Sequence, residues 1–278
     1  MADQPPKDFD PRIKSYYDRR PEESRLGRGT SQLEALRTRE LIARLAPQPP
    51  AVVLDIGGAA GAYALPLAAA GYEVHLVDPV PRLVDLARSA SVASAHPLRS
   101  IQVGDARSLP FEGSNSDVVL LLGPLYHLQD PADRAAALRE ATRVLRPGGV
   151  LFAACITRWA SLLDGVVYRY LDDPAFAELV EKDLESGRHT NPTETPGYFT
   201  TSYFHRPDEF LLELAASGLE VLGVFGLEGP SRMLPDFEER WADPAQREHL
   251  IRLARELELE PSTLGVSPHL LGVCRKPA

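Results

Sequence analysis

Three carboxylates close three successive apolar runs in the first half of this 278-residue chain. Asp55 lies near the end of Val52-Val53-Leu54-Asp55-Ile56, Asp78 ends Val74-His75-Leu76-Val77-Asp78, and Asp105 sits in Gly104-Asp105-Ala106, just after Ile101-Gln102-Val103. One aspartate at a strand end is an ordinary helix cap or turn residue. Three, each with glycine adjacent or a tight turn following, point to a ligand that meets acceptor oxygens at the rim of a sheet. The turn Gly57-Gly58-Ala59-Ala60-Gly61 narrows its class. A dinucleotide fingerprint starting at Gly57 needs glycine at Ala59 and Ala62. The Gly-Lys-Ser/Thr of a phosphate loop is absent, and flanking carboxylates match polyphosphates poorly. The ligand should offer hydroxyls, amino groups and a positive charge, as a nucleoside carrying an amino acid and a sulfonium does.

Carboxylates so spaced converge only if the elements beneath them form one sheet. The chain alternates short apolar strands with amphipathic helices, the pattern of an α/β fold. Apolar positions Leu33, Leu36, Leu41, Ile42 and Leu45 predict a helix over Ser31–Leu45, stopped by Pro47-Gln48-Pro49-Pro50. Strands are predicted at Val52–Ile56, Val74–Asp78, Ile101–Val103, Asp117–Leu122 and Val150–Ile156. Helices reaching Ala70, over Leu83–Ala90 and over Pro131–Leu145 lie between them. Near-continuous apolar strands belong to a parallel sheet covered on both faces. The expected fold class is α/β: a doubly wound, Rossmann-like sheet of seven mostly parallel strands, with its ligand crevice beyond their carboxyl ends. Leu219–Leu227 and Leu270–Cys274 supply the last two strands, with a charged helix over Ala245–Leu259 between them. After the fifth strand, Trp159–Leu184 reads as helix, Arg188–Arg206 as a loop and Pro207–Ser217 as helix. The expected organisation is an N-terminal helical cap segment at 1–46 and one domain over 47–278, with a cap or lid inserted at about 157–205.

Val53-Leu54-Asp55-Ile56-Gly57-Gly58-Ala59-Ala60-Gly61 resembles the first motif of class I S-adenosylmethionine-dependent methyltransferases. The spacing to Asp78, to Gly104-Asp105-Ala106 and to Ser116-Asp117-Val118-Val119 continues the resemblance. Leu109-Pro110-Phe111 and Val144-Leu145-Arg146-Pro147-Gly148-Gly149 extend it over about residues 50 to 156. It implies S-adenosyl-L-methionine as cofactor. Asp55, Gly57 and Gly58 would line its methionine part, and Gly61 would let the backbone approach. Asp78, beside Pro79, would accept from both ribose hydroxyls. Asp105 would receive the adenine amino group, with the Ala106 amide near a ring nitrogen, and Gly123 would border the sulfonium. Tyr17 lies in a segment that often folds over the cofactor in related enzymes. Ala59 departs from the family, which often has glycine there; alanine is tolerable if that backbone angle is ordinary. Beyond the core the chain resembles a bacterial group of such enzymes, mostly of unassigned substrate. Tyr16-Tyr17-Asp18, Gly123-Pro124-Leu125-Tyr126-His127-Leu128 and the stretch from Tyr198 to Pro207 carry that likeness.

Methyl transfer from a sulfonium needs alignment above all, and a base only where the accepting atom must shed a proton. His127, a few residues past the fourth strand, is the candidate base, because its unperturbed pKa suits proton transfer near neutrality. The competing reading is a histidine that caps a helix or packs against a loop. Tyr126 and His127, with Tyr203 and His205, are the candidate acceptor-binding residues. The stretch from Tyr198 to His205 reads either as a substrate lid or as packing against the inserted helix. No CxxC, HExxH or His/Cys cluster suggests a metal.

With 30 basic and 39 acidic residues the formal charge is −9, which argues against general attraction to nucleic acid. Arg19, Arg20, Arg25 and Arg28 read as a solvated helix face, with a local basic patch as the alternative. Cys155 and Cys274, each inside an apolar run, read as buried reduced thiols. No apolar signal core and no run near the roughly 18 residues that span a membrane is present. A cytoplasmic protein with no membrane partner is expected. Its expected function is methyl transfer to O, N or C of a small-molecule metabolite by in-line displacement. A methyltransferase of RNA or protein, or a non-catalytic S-adenosylmethionine-binding regulatory module, are the alternatives. Gly123-Pro124-Leu125-Tyr126 lacks the amide of an Asn-Pro-Pro-Tyr tetrad, which disfavours DNA or glutamine N-methylation. Monomer and homodimer both stay open.

Overall fold

The computed structural model describes residues 9–19, 22–193, 195 and 197–278, with the backbone alone at 22 and 23. The first eight residues of the predicted cap segment, and Arg20 of the arginine group, lie outside the described residues. Nine strands are described: β1 (Val52–Ile56), β2 (Glu73–Asp78), β3 (Ser100–Val103), β4 (Ser116–Leu121), β5 (Leu145–Thr157), β6 (Arg188–His189), β7 (Ser202–His205), β8 (Glu220–Gly226) and β9 (His269–Arg275). The helices are α1 (Pro11–Arg19), α2 (Ser31–Leu45), α3 (Ala64–Ala69), α4 (Pro81–Val92), α5 (Pro124–His127), α6 (Pro131–Val144), α7 (Ala160–Val167), α8 (Pro174–Ser186), α9 (Pro207–Ala215), α10 (Phe237–Ala242) and α11 (Pro244–Leu257).

The main sheet has the order β3-β2-β1-β4-β5-β9-β8, parallel but for β9, which runs antiparallel to both neighbours. Alternation along the strands sorts their side chains into two apolar layers. Val53, Val118, Leu120, Val150 and Phe152 pack on the face that carries Leu41 and Ile42 of α2 and Ala64 and Ala68 of α3. Leu54, Val119, Leu121, Leu151 and Ala153 pack on the other, with Ala137, Leu138 and Ala141 of α6 and Phe210 and Leu214 of α9. Both cysteines are free and buried in this sheet. The chain moves outward from β1 to β3, then returns to place β4 beside β1. A crevice opens where strand order reverses in this way.

Two expectations for the insertion are corrected. Trp159–Leu184 is not one helix: Arg169 adopts a left-handed φ of 60°, and Pro174, lacking an N–H, starts a new helix capped by Asp173 on the Ala175 N–H at 2.9 Å. Arg188–Arg206 is not loop throughout, because β6 and β7 form a short antiparallel ladder within it. Ile156 of β5 pairs with Phe204 of β7 and also with His269 of β9. The two partners therefore occupy opposite edges of β5. β7 thus sits on the β4 side, above the carboxyl end of that strand.

Candidate active site

At the switch point a cavity of about 310 Å³ is bordered by the glycine turn after β1, the ends of β2 and β3, and the start of α5. Its walls include Tyr17, Asp55, Gly57, Gly58, Gly61, Asp78, Pro79, Asp105, Ala106, Gly123, Tyr126 and His127. The glycine turn is tied to β2: Gly57 N donates to Val77 O at 2.7 Å, and Ala59 N donates to Asp78 Oδ2 at 2.9 Å. A Cβ on Gly58 would stand 2.7 Å from Asp55 Oδ2, and one on Gly57 would stand 2.7 Å from Pro124 Cδ. Glycine at these positions lets backbone and carboxylate share one narrow turn. Ala59 corrects the expectation of an ordinary angle, for its φ is 48°. That left-handed conformation crowds any Cβ and costs about 1–2 kcal/mol.

The carboxylates differ in what holds them. Asp78 receives the amides of Ala59 and, at 2.8 Å, Val80. Asp105 is gripped by the Arg107 side chain at 2.9 and 2.7 Å and by its N–H at 2.8 Å, and Arg107 is itself braced by Asp133 at 3.1 Å. Asp55 is buried, and its Oδ2 has no hydrogen-bond partner among the described residues. Burial, then the negative charge of Asp78, pushes its pKa up to about 7 against the Ala64 N–H. A buried carboxylate with one oxygen lacking a donor is stabilised by a cationic or N–H group brought against it. An ammonium at Asp55, a diol at Asp78 and an aromatic amine near Asp105 satisfy all three, so the residues fit S-adenosylmethionine.

Tyr17 of α1 and His127 of α5 close the cavity from above. Thr201 O lies 3.3 Å from His127 Nδ1. A carbonyl only accepts, so Nδ1 carries the proton and Nε2 accepts from the Tyr17 hydroxyl at 2.7 Å. Burial, opposed by the Thr201 carbonyl and aided by the charge of Arg25, lowers the pKa of His127 to about 4. The unperturbed value expected for a base is therefore replaced by a neutral imidazole acceptor. Arg82 Nη2, at the start of α4, donates to Tyr17 O at 2.6 Å and ties α1 to that helix.

A second cavity, of about 200 Å³, adjoins the first and shares Tyr17, Arg25 and Tyr126 with it. Its walls are aromatic, with Tyr16, Phe176, Tyr198, Phe199 and Phe204 prominent. Its charged members are paired. Arg25 holds Glu34 at 2.8 and 3.1 Å, Arg232 holds Asp164, and His269 Nδ1 lies 2.5 Å from Glu228. Burial works against ionisation of Glu34, but the charges of Arg25 and His269 bring its pKa well below the usual carboxylate range. Buried His189 lines the same cavity, placed by Asp183 Oδ2 at 2.8 Å and Tyr198 O at 2.7 Å.

Tyr203 and His205, expected to meet the acceptor, line neither cavity. Strand alternation is the reason: in β7, Phe204 faces the cavity, and its neighbours point to the other side. There Arg134 lies over the Tyr203 ring at 3.9 Å, and His205 Nε2 meets Glu213 at 2.8 Å. Arg25 is likewise no solvated helix residue, since it lines both cavities. Arg107, Phe176 and His189 escaped the sequence reading, whereas Tyr126 and the Tyr198–His205 stretch, which supplies Tyr198, Phe199 and Phe204, were named in it. Arg107 stands two residues after Asp105, a spacing suited to a local ion pair. Phe176 and His189 converge only through the fold of the insertion.

Comparison with known proteins bears on the fold that carries this site. Residues 54–153 match a family model described as a methyltransferase domain. An uncharacterized methyltransferase of Mycobacterium tuberculosis is 35% identical over 119 residues, 43% of this chain and 45% of the relative. The chain thus spans less than half the length of the first curated relatives it matches. A ubiquinone biosynthesis O-methyltransferase of Xanthomonas axonopodis pv. citri is 29% identical, over 70% of this chain and 73% of the relative. In fold, the chain is similar to a solved S-adenosylmethionine-dependent methyltransferase from Methanosarcina mazei, with a TM-score of 0.58 and 20% identity over 85% of this chain and 97% of that one. Residues 54–153 are thus similar to a methyltransferase domain, and the sheet order is that of a solved S-adenosylmethionine-dependent methyltransferase fold.

Proposed function

We propose that this chain transfers a methyl group from S-adenosylmethionine to a hydroxyl of a small, flat, uncharged ring held in the aromatic cavity. The observation that carries the reading is the pair of adjoining cavities that share Tyr17, Arg25 and Tyr126. One fits the cofactor, and the other, with its charges internally paired, offers rings for stacking. The cofactor supplies a methyl group already activated by a sulfonium. The protein's part is then to align the acceptor and exclude water. α1 and β7 cover the site, and Tyr126, buried between the cavities, orients whatever reaches across.

The Tyr17–His127 pair gives the acceptor proton a route. Tyr17 donates to His127 Nε2 and lines both cavities, and in this reading its phenol oxygen accepts from an acceptor O–H. As the acceptor oxygen takes the methyl group from sulfur, that proton passes to the Tyr17 oxygen and the Tyr17 proton to His127 Nε2. The imidazolium, disfavoured by burial, gives its proton up to solvent as the product leaves. The name of the Xanthomonas relative, an O-methyltransferase of ubiquinone biosynthesis, supports an oxygen acceptor. The burial of the cavity beneath α1 and the net charge of −9 weigh against RNA or a folded protein as acceptor. No helix among the described residues is long and apolar enough to cross a membrane. The reading is tested by incubating the protein with S-adenosylmethionine and a panel of mono- and bicyclic phenols while following S-adenosylhomocysteine release. Turnover on at least one phenol, with none on matched methyl ethers, supports it. Cofactor binding without turnover on any member would favour the regulatory-module alternative.

A further inference from the structure

His269, the first residue of β9, lines the aromatic cavity but not the cofactor cavity, and the relay through Tyr17 and His127 makes no use of it. Several contacts fix its place. Strand pairing sets it opposite Ile156 of β5, its N–H donates to Glu228 Oε2 at 3.2 Å, and its carbonyl accepts from the Leu227 N–H at 3.2 Å. Glu228 is buried, and Ser267 Oγ donates to its Oε2 at 2.9 Å. The other oxygen, Oε1, lies 2.5 Å from His269 Nδ1. A carboxylate accepts, so Nδ1 carries a proton and the ring is held in one orientation. Nε2 makes no hydrogen bond among the described residues, yet it is not sealed in, for the side chain keeps 17% of its surface open. With Nδ1 covered by Glu228, Nε2 is the polar atom of this ring that a ligand in the cavity can reach.

Charge decides whether Nε2 offers a proton or takes one. Glu34, Asp164 and Glu228 stand here against Arg25, Arg232 and His269. Arg25 grips both oxygens of Glu34 at 2.8 and 3.1 Å, and Arg232 holds both of Asp164. Glu228 pairs with His269, so this buried carboxylate is neutralised when the imidazole is charged. Glu34 Oε2, 3.7 Å from His269 Nδ1, is a second negative neighbour. Burial opposes the charge, but Glu34 and then Glu228 raise the pKa of His269 above its ordinary value. At neutral pH Nε2 is therefore a charge-assisted donor and not a base. The same three side chains bring ligand atoms within 4.8 Å of one another, but the Arg25 guanidinium against both Glu34 oxygens repels a metal ion from that place. A carbonyl or hydroxyl oxygen accepts from Nε2 without adding a buried charge.

We propose that His269 donates from Nε2 to a second oxygen of the acceptor, a carbonyl or hydroxyl other than the one methylated, and so sets which way the ring enters the cavity. The assignment rests on the methyl-transfer reading of that cavity and narrows its acceptor to rings with two oxygen substituents. The test is calorimetric titration of S-adenosylhomocysteine-saturated protein with matched phenols that differ by one carbonyl: 4-hydroxyacetophenone against 4-ethylphenol, and 4-hydroxybenzophenone against 4-benzylphenol. In at least one pair the ketone is expected to bind about tenfold more tightly. His269→Asn keeps an amide N–H for Glu228 and withdraws the donor from the cavity. It should erase the ketone's advantage and retain affinity for S-adenosylhomocysteine and for the alkylphenol. In histidine-labelled wild type, which needs no variant, the Nε2 resonance of His269 should shift with the ketone and not with its alkyl partner. Equal affinity within both pairs, no measurable binding of either ketone, an undiminished advantage in folded His269→Asn, or an unmoved Nε2 resonance would overturn the proposal. Failure of the methyl-transfer reading shows separately, as absence of turnover on either ketone with S-adenosylmethionine while the binding advantage persists.

Discussion

The hydroxyl of Tyr17 lies 2.7 Å from Nε2 of His127, a contact that spans 110 positions of sequence. With the Thr201 carbonyl behind the imidazole, it ties α1, α5 and the insertion together above the junction of the two cavities. Neither residue needs a charge for this contact. A buried imidazole with a pKa near 4 is neutral at pH 7.

Tyr17→Phe keeps the ring and removes the O–H that completes the relay. On an accepting phenol, kcat should fall roughly 100-fold, while affinity for S-adenosylhomocysteine changes by less than about threefold. Rates and calorimetry on the same preparation check both halves. An equal loss in the two would make Tyr17 a binding residue instead.

His127 also links stability to pH. Its folded pKa is depressed below the ordinary 6.5, so between about pH 6.5 and 4 the unfolded chain takes up a proton that the folded chain refuses. The stability it contributes is complete above pH 6.5 and is lost as pH falls through that window. Urea midpoints of wild type and His127→Gln, measured at pH 7.5 and 5, should converge on acidification.

Asp55 works in the opposite sense. Its folded pKa, pushed up to about 7, exceeds its unfolded value, so its burial costs stability as pH rises from about 4 through 7. Asp55→Asn should therefore raise stability at pH 8 by on the order of 2 kcal/mol and abolish tight cofactor binding. In the wild-type protein an ammonium binds best against the carboxylate form. Affinity for S-adenosylhomocysteine should fall by about tenfold per pH unit below 7, a slope that Asp55→Asn removes.

The sheet was legible because its strands are buried on both faces. Val52–Ile56 and Asp117–Leu122 are apolar throughout except for Asp55 and Asp117, and Pro131 and Pro47 punctuate the helices on either side. Asp55, Asp78 and Asp105 were legible because each stands at or just past the carboxyl end of an apolar run. The acceptor cavity was legible only in part, at Tyr126 and the Tyr198–His205 stretch, since Tyr16, Tyr126, Phe176 and Phe204 come from four separate elements. Its walls depend on a two-residue pairing of β7 with the end of β5. Within the Tyr198–His205 stretch, composition alone did not distinguish Phe204, which faces the cavity, from Tyr203 and His205, which face Arg134 and Glu213. The angle at Ala59 was hidden because alanine carries no sign of a left-handed residue.

Ala59→Gly should relieve that angle. With φ at 48°, glycine gains about 1 kcal/mol over alanine, where in ordinary helical geometry the same change would lose a comparable amount. A rise in the urea midpoint with unchanged cofactor affinity is expected. A fall would mean that the turn is held in place by other contacts of the Ala59 methyl group.

The most direct test of the account is calorimetric titration of the purified, ligand-free protein with S-adenosylmethionine and, separately, with S-adenosylhomocysteine. Micromolar binding of both, with one site per chain, is the predicted result. A folded protein that binds neither would contradict the assignment of Asp55, Asp78 and Asp105 to a cofactor, and with it the reading of the adjoining cavity as an acceptor site.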